Sequence, residues 1–227
     1  NNDLSLLLSG YYYETDAVGG HWVNLEAVDS SDLRDYPLNT QSVYDAEQWR
    51  VAADLSWSIG NNWVLTYATS YQEDKINEQI RDFDGVDGVP GFPPFVPPDA
   101  TFGPFNTDSE QTSHELRVAW DGADTAWSGL AGLYYFKEEQ DTLLDVILFE
   151  NVVELEFDQF DAETESQAIF ADFQYGFNEQ WQFVGGLRYT DDYKHRFGET
   201  TITNLAGAPV GPPGITVSPN VGKVESN

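Results

Sequence analysis

The chain has 227 residues, with no cysteine, 19 glycines, 11 prolines and a 15% share of aromatic residues, a composition that favours β-structure with many turns over a helical bundle. Its formal net charge of −29 argues against binding to nucleic acid or to an anionic leaflet, since both need clustered Lys and Arg. The absence of cysteine excludes disulfides and thiolate metal sites. Mean hydropathy is −0.43, which does not exclude a membrane barrel, because barrel strands are apolar on one face only.

The first predicted elements are a strand at residues 3–14 and a hairpin at residues 46–74. In the hairpin, residues such as Trp49 and Leu55 alternate with polar residues on the opposite face. This period-two alternation is typical of a strand that separates two different environments. The turn falls at 58–62, where glycine and asparagine permit a tight backbone. The segment therefore predicts two antiparallel strands joined by a short turn.

The same unit recurs twice further along the chain. Residues 112–137 form a second predicted hairpin around a short turn at 121–126. Residues 166–192 form a third, with its turn at Asn178–Gln180. Residues 221–227 look like the beginning of one more strand. About eight strands are therefore expected.

Long connections are predicted between the hairpins, at about 15–45, 83–110, 141–164 and 197–220. They hold most of the prolines and many of the acids. Residues within 143–157 alternate again, which indicates an extracellular hairpin that turns near Glu150–Asn151 and extends the wall above the membrane. Alternating short and long connections are typical of outer-membrane barrels, in which short turns are periplasmic and long loops extracellular.

Large aromatic residues flank the predicted short turns. Six positions share this placement: Trp57, Trp63, Trp120, Trp127, Phe177 and Trp181. Amphipathic rings prefer the boundary between membrane and water, so the pattern predicts an aromatic girdle at the periplasmic rim. The alternative is a soluble β-sandwich whose core aromatics lie near strand ends.

The candidate ligand-binding residues are four phenylalanines interleaved with prolines in a predicted extracellular loop. They are Phe92, Phe95, Phe102 and Phe105. Exposed rings of this kind are unfavourable unless they pack against a neighbour or bind a partner. Both self-packing and a ligand surface are compatible with the sequence.

A weaker candidate is a calcium site formed by Asp82, Asp84 and Asp87, which lie beside glycines. The order of ligands differs from that of an EF-hand, and Pro93 occupies the position of the bidentate glutamate. A solvated acidic loop is the alternative. No other cofactor is expected, and no nucleophile or metalloprotease motif is present.

The three histidines lie far apart in sequence, at His21, His114 and His195. A three-histidine metal site is conceivable, but nothing in their spacing favours it. His114 falls on the predicted apolar face, which indicates an interfacial position near the outer rim.

Several short strings resemble the barrel of TonB-dependent outer-membrane receptors. They are ELRVAW (Glu115–Trp120), GLYYF (Gly132–Phe136), AIFADFQY (Ala168–Tyr175) and GLRYTDD (Gly186–Asp192). Each string is degenerate, but their order and spacing together are specific. The resemblance covers residues 110–195 well and residues 46–75 more loosely.

The resemblance implies an all-β, antiparallel up-and-down transmembrane barrel of roughly 22 strands around a plug domain. It also implies location in the bacterial outer membrane and import of an iron chelate or similar large nutrient. Partners would be membrane lipid, the protein's own plug domain, a TonB-type inner-membrane energy transducer and an extracellular small-molecule ligand. Residues 1–227 would be an interior part of a single barrel domain, without the plug or the C-terminal strands. Catalysis is not expected. The alternative function is that of a secreted or surface β-rich structural protein without transport activity.

Overall fold

The described residues form a single antiparallel sheet of eight strands that pair in chain order. The structure, a computed structural model, describes residues 3–18, 40–82, 100–122, 126–149, 152–205 and 214–226. The strands are β1 (Leu4–Ala17), β2 (Val43–Ile59), β3 (Trp63–Asp82), β4 (Thr101–Asp121), β5 (Trp127–Leu148), β6 (Val153–Asn178), β7 (Trp181–Asn204) and β8 (Gly214–Ser226). This confirms the predicted up-and-down order and the number of strands.

Two of the three predicted short turns are confirmed; at the third, Asp121 pairs with Ser128, and residues 123–125 lie outside the described residues. β2 and β3 are joined through Gly60, whose φ of 65° is readily adopted only by glycine. Between β6 and β7, the side-chain oxygen of Asn178 accepts hydrogen bonds from the backbone N–H groups of Gln180 (2.9 Å) and Trp181 (3.0 Å). These local contacts define the ends of β2, β3, β6 and β7 at the turns that were predicted from the sequence.

The predicted bounds of the long connections are partly wrong, because strands continue into them, while residues 19–39, 83–99 and 206–213 of these connections lie outside the described residues. Residues 101–110, 141–148 and 197–204 are strand, and β8 begins at Gly214 and not at residue 221. Outside a membrane neither face of a strand has to be apolar, so charged stretches that looked like loops can pair as strands. The hairpin predicted near residues 150–151 is confirmed, since Leu148 pairs with Val153.

One face of the sheet, here called the outer face, carries continuous apolar rows. In one row, neighbours in register on seven strands are Leu6, Leu55, Tyr67, Leu116, Leu133, Ile169 and Tyr189. Most of these side chains are exposed, and only Ala46, Ala100, Val153 and Ala168 are buried hydrophobic residues among the described positions. Because no described residues form a second layer over this face, the apolar rows need another apolar environment.

The apolar part of the outer face has the same length on successive strands. It spans 63–71 on β3, 112–120 on β4, 127–135 on β5, 169–177 on β6 and 181–189 on β7, nine residues in each case. Nine residues extend about 30 Å along a strand, or roughly 23 Å across a bilayer at a tilt of about 40°. This apolar band therefore has the height of a lipid-facing barrel wall.

Aromatic rings border the apolar band at its turn side. Trp63 and Trp120 stack across β3 and β4 with centroids 5.9 Å apart. Trp127 packs on Tyr175 of β6 at 4.5 Å. Rings from four strands thus line the edge that bears the short turns, as the sequence predicted. At the opposite edge of the band, Trp49 of β2 contacts Tyr71, with ring centroids 5.1 Å apart.

The opposite face, here called the inner face, is polar at the level of the band. Arg117 donates to the carboxylate of Glu115 at 2.9 Å. The guanidinium of Arg188 lies over the rings of Tyr134 (5.6 Å) and Phe170 (5.5 Å). These contacts hold charged groups away from lipid, in the direction of a barrel lumen.

Close packing on the inner face requires glycine at residue 132 of β5. A Cβ at Gly132 would meet the ring of Phe170 and would lie 2.9 Å from the carbonyl oxygen of Leu116. Glycine at this position therefore leaves room for the ring of Phe170, over which Arg188 lies.

Within the described residues the sheet is not closed. β1 pairs only with β2, and β8 pairs only with β7, so each terminal strand presents one unpaired edge. None of the described segments forms a helix with the length and apolar character needed to cross a membrane.

Candidate functional site

The candidate site is the inner face of the sheet beyond the apolar band. Phe102 and Phe105 lie on β4 and not in a loop, with ring centroids 6.4 Å apart. They pair with Val146 and Leu144 of β5. Phe92 and Phe95 lie outside the described residues, so the structure brings together only two of the four predicted phenylalanines.

These two rings belong to a larger apolar surface on the inner face, which we call the upper apolar patch. Its members are Phe102, Phe105, Leu144, Val146, Leu155 and Phe157, joined in register across β4, β5 and β6. All six side chains are partly exposed. The sequence suggested only the β4 phenylalanines, because the matching positions on β5 and β6 become neighbours only when the strands pair.

The predicted calcium residues cannot be assembled from the described part of the chain. Asp82 ends β3, its side chain lies outside the described residues, and so do Asp84 and Asp87. Elsewhere in the described segments, no group of three His, Cys, Asp or Glu side chains is arranged to hold a metal ion. The calcium site stays a prediction.

The two described histidines lie on different strands and have different surroundings. His114 of β4 is on the outer face, where its Nδ1 lies 2.9 Å from the hydroxyl groups of both Tyr67 and Thr69. This agrees with the predicted interfacial position. His195 of β7 lies beyond the band with Nε2 2.9 Å from Asp161. His21 lies outside the described residues, and the other two histidines are three strands apart.

Beyond the apolar band the outer face is acidic, and two of its lysines are held between carboxylates. Lys137 of β5 makes ion pairs with Glu139 (2.7 Å) and with Glu163 of β6 (3.0 Å). Hydrogen bonds that Lys137 donates to these two carboxylates raise its pKa. Lys75 is paired in the same manner with Glu73 and Asp108. Charge on this surface is thus partly neutralised within the sheet.

On the inner face, β7 carries two cations that differ from Lys75 and Lys137 in making no ion pair with a described residue. Lys194 and Arg196 follow Arg188 in alternation and are exposed. Neither makes an ion pair with any residue in the described ranges. The sequence interpretation missed both residues because it ended the strand at residue 192. The alternation that placed Arg188 inward continues through residues 194 and 196 and could have identified them.

A concave site of about 300 Å³ opens beside these two cations. It is lined by Glu138, Gln140, Thr164, Lys194, Arg196 and Gly222, among others. Glu138 already accepts hydrogen bonds from Ser109 (3.3 Å) and Gln111 (2.9 Å). The carboxylate of Glu163 also lines the cavity, and it is paired with Lys137. Because both carboxylates already have partners and the two cations have none among the described residues, the cavity suits the binding of an anion.

Asp145 is the most unusual carboxylate on the β5–β6 hairpin. Its side chain is buried, and its Oδ1 has no hydrogen-bond partner among the described residues. Burial first, and then the carboxylates of Glu156 and Glu154, raise the pKa of Asp145 above its usual value. The group therefore destabilises the hairpin when it is ionised.

Comparison with known proteins gives two matches. Residues 1–224 match the family described as TonB dependent receptor-like, beta-barrel. Among solved structures, the chain is similar to the ferric yersiniabactin uptake receptor FyuA from Yersinia pestis, with a TM-score of 0.65 and 13% sequence identity. That likeness covers 98% of this chain and 31% of the receptor, and at this identity it concerns the fold alone. No curated protein matches the chain in sequence.

Proposed function

Because the chain belongs to the TonB-dependent receptor-like β-barrel family, we propose that it forms part of the wall of an uptake receptor for a ferric chelate. The chain lies in the bacterial outer membrane, as the family does. The proposal concerns the activity of the whole protein, to which this chain contributes an arc of the barrel.

The observation that carries the proposal is the height of the wall. A tilted strand needs about 9–11 residues to cross a bilayer, whereas β6 has 26 residues and β7 has 24. The surplus lies on the side away from the short turns, so it stands outside the cell. A tall wall with an apolar and cationic inner face supports capture of a ligand above the membrane.

The proposed partners follow from the same geometry. An inner face with ion pairs and stacked cations suits contact with a polar domain inside the barrel, and a plug domain is the proposed occupant. An energy-transducing inner-membrane protein of the TonB type would drive its rearrangement. FyuA takes up ferric yersiniabactin by its description, which supports a ferric chelate as the class of cargo here.

Uptake of radiolabelled iron tests the proposal. We expect cells that lack the gene to lose growth and ⁵⁵Fe accumulation on at least one ferric chelate under iron limitation. The full-length gene should restore both, but not in cells without the TonB-type transducer. A protein that inserts in the outer membrane yet changes neither growth nor uptake would refute transport. It would instead favour the alternative of a surface structural protein.

A further inference from the structure

We infer that Lys194 and Arg196 form an anion-binding site on the inner face, and that the imported chelate carries negatively charged carboxylate or phenolate groups. This inference rests on the proposed function, since it names the class of ligand that the receptor takes up.

The two cations lie side by side and face the same space. They are alternate residues of β7, so their Cα atoms are about 6.6 Å apart. Both lie past Tyr189, where the apolar band on β7 ends. The site is therefore in the vestibule above the membrane, where a ligand arriving from outside would first be held.

The strands on both sides leave the two cations without partners. Across β6, Lys194 pairs in register with Thr164 and Arg196 with Ala162. Across β8, Lys194 faces Val224, while Arg196 faces a glycine. All four neighbours are uncharged, and three of them are small, so both cationic head groups have room beside them.

The nearest inner-face carboxylates, one of which lines the cavity, accept hydrogen bonds from other residues. Asp192 accepts a hydrogen bond from Ser166 at 2.6 Å, and Glu138 accepts from residues of β4. Lys75 and Lys137 on the outer face make ion pairs with carboxylates, whereas Lys194 and Arg196 make none among the described residues. Two adjacent exposed cations on the inner face therefore leave a positively charged surface for an external anion.

Glycine at residue 222 keeps the guanidinium of Arg196 accessible. A Cβ at Gly222 would lie 3.9 Å from one guanidinium nitrogen of Arg196 and 4.0 Å from another. A larger side chain would therefore cover that group. A planar guanidinium with a free side can bind a carboxylate through two parallel hydrogen bonds, and a neighbouring lysine adds a point charge.

The upper apolar patch begins next to this site. Thr200, four residues beyond Arg196 on the inner face of β7, pairs with Phe157 of the patch. A ligand held by its anionic groups at Lys194 and Arg196 could thus lay an apolar body against Phe157 and its neighbours. The surfaces together fit an amphipathic ferric chelate with one anionic end.

Binding by the full-length receptor in outer-membrane vesicles tests the inference. The probes are the ⁵⁵Fe complexes of citrate, of a catecholate and of a phenolate-carboxylate, with a neutral ferric trihydroxamate for comparison. We expect wild-type protein to bind at least one anionic probe. Lys194→Gln and Arg196→Gln should each weaken that binding roughly ten- to a hundred-fold. Lys137→Gln, on the outer face, should leave it unchanged, and every variant should keep the wild-type thermal unfolding profile.

Several results would overturn the inference without touching the proposed function. One is that the wild-type receptor binds only the neutral trihydroxamate and none of the anionic probes. Another is wild-type affinity for the anionic probe in the double glutamine variant. A third is loss of thermal stability with unchanged ligand affinity, which would assign the cations to contacts with another part of the protein. Failure of the receptor to take up any ferric chelate would instead refute the proposed function itself.

Discussion

Replacing Leu116 by arginine tests the assignment of the outer face at the centre of the apolar band. Leu116 is the middle residue of the segment 112–120 on β4 and lies in register between Tyr67 and Leu133. Its side chain is 41% exposed in the isolated sheet, so in the membrane this surface contacts lipid. An arginine here would place its guanidinium near the bilayer midplane.

The expected loss is large enough to measure. Arginine on the lipid face of a barrel costs about 2–4 kcal/mol at the midplane, which lowers the folding equilibrium constant roughly 30- to 700-fold. Ala68→Arg provides a matched control at the same depth, since Ala68 is on the inner face of β3 and pairs with Glu115. There the new guanidinium lies in the lumen beside a carboxylate, and we expect a change below about 1 kcal/mol.

The assay is urea unfolding of full-length protein folded into lipid vesicles, followed by tryptophan fluorescence and by the gel shift of folded barrels. Leu116→Arg should lower the unfolding midpoint or prevent insertion, whereas Ala68→Arg should resemble the wild type. Equal loss in both variants would mean that the two faces do not differ in environment. A greater loss in Ala68→Arg would mean that the faces are assigned the wrong way round.

Three further predictions concern single contacts. The losses of unfolding free energy caused by Trp63→Ala and Trp120→Ala should sum to about 0.5–1.5 kcal/mol more than the loss in the double variant, because each single change removes the same ring stack. Strictly additive losses would mean that the stack contributes no stability. Asp145→Asn should stabilise the protein above pH 3.8, the usual pKa of this group. Because the pKa of Asp145 is raised in the folded state, the unfolded chain loses its proton first, and stability falls as the pH rises from 3.8 to the folded-state pKa. Its control is Asp16→Asn at an exposed site, and equal shifts in urea midpoints at pH 7 would refute the burial argument. Gly132→Ala should cost about 1–3 kcal/mol because its methyl group meets an aromatic ring and a backbone carbonyl, and an unchanged unfolding midpoint would show that the ring can move away.

The candidate site was only partly predictable from the sequence. Phe102 and Phe105 were singled out as aromatic residues near prolines, but they were assigned to a loop. The sequence interpretation stopped short of Lys194 and Arg196, because it expected a strand to end where its apolar face ends. A barrel wall that continues into water has no such requirement, so the change from apolar to charged residues marks the membrane boundary and not the end of β7.

The sequence by itself determined the features that depend on neighbours along the chain. These are the alternation of the strands, the short turns within residues 58–62 and 178–180, and the aromatic residues beside them, since each depends on a few consecutive positions. From these alone followed the up-and-down order and the membrane boundary at the turn side.

Only the tertiary structure decided which residues meet across strands. The contact between Lys137 and Glu163 and the isolation of Lys194 both depend on pairing register, and register changes at bulges such as that between Gln159 and Asp161. A shift of one residue moves every following side chain to the opposite face. The band and its turns could therefore be inferred from the sequence, whereas the upper apolar patch and the free cations beside it required the paired sheet.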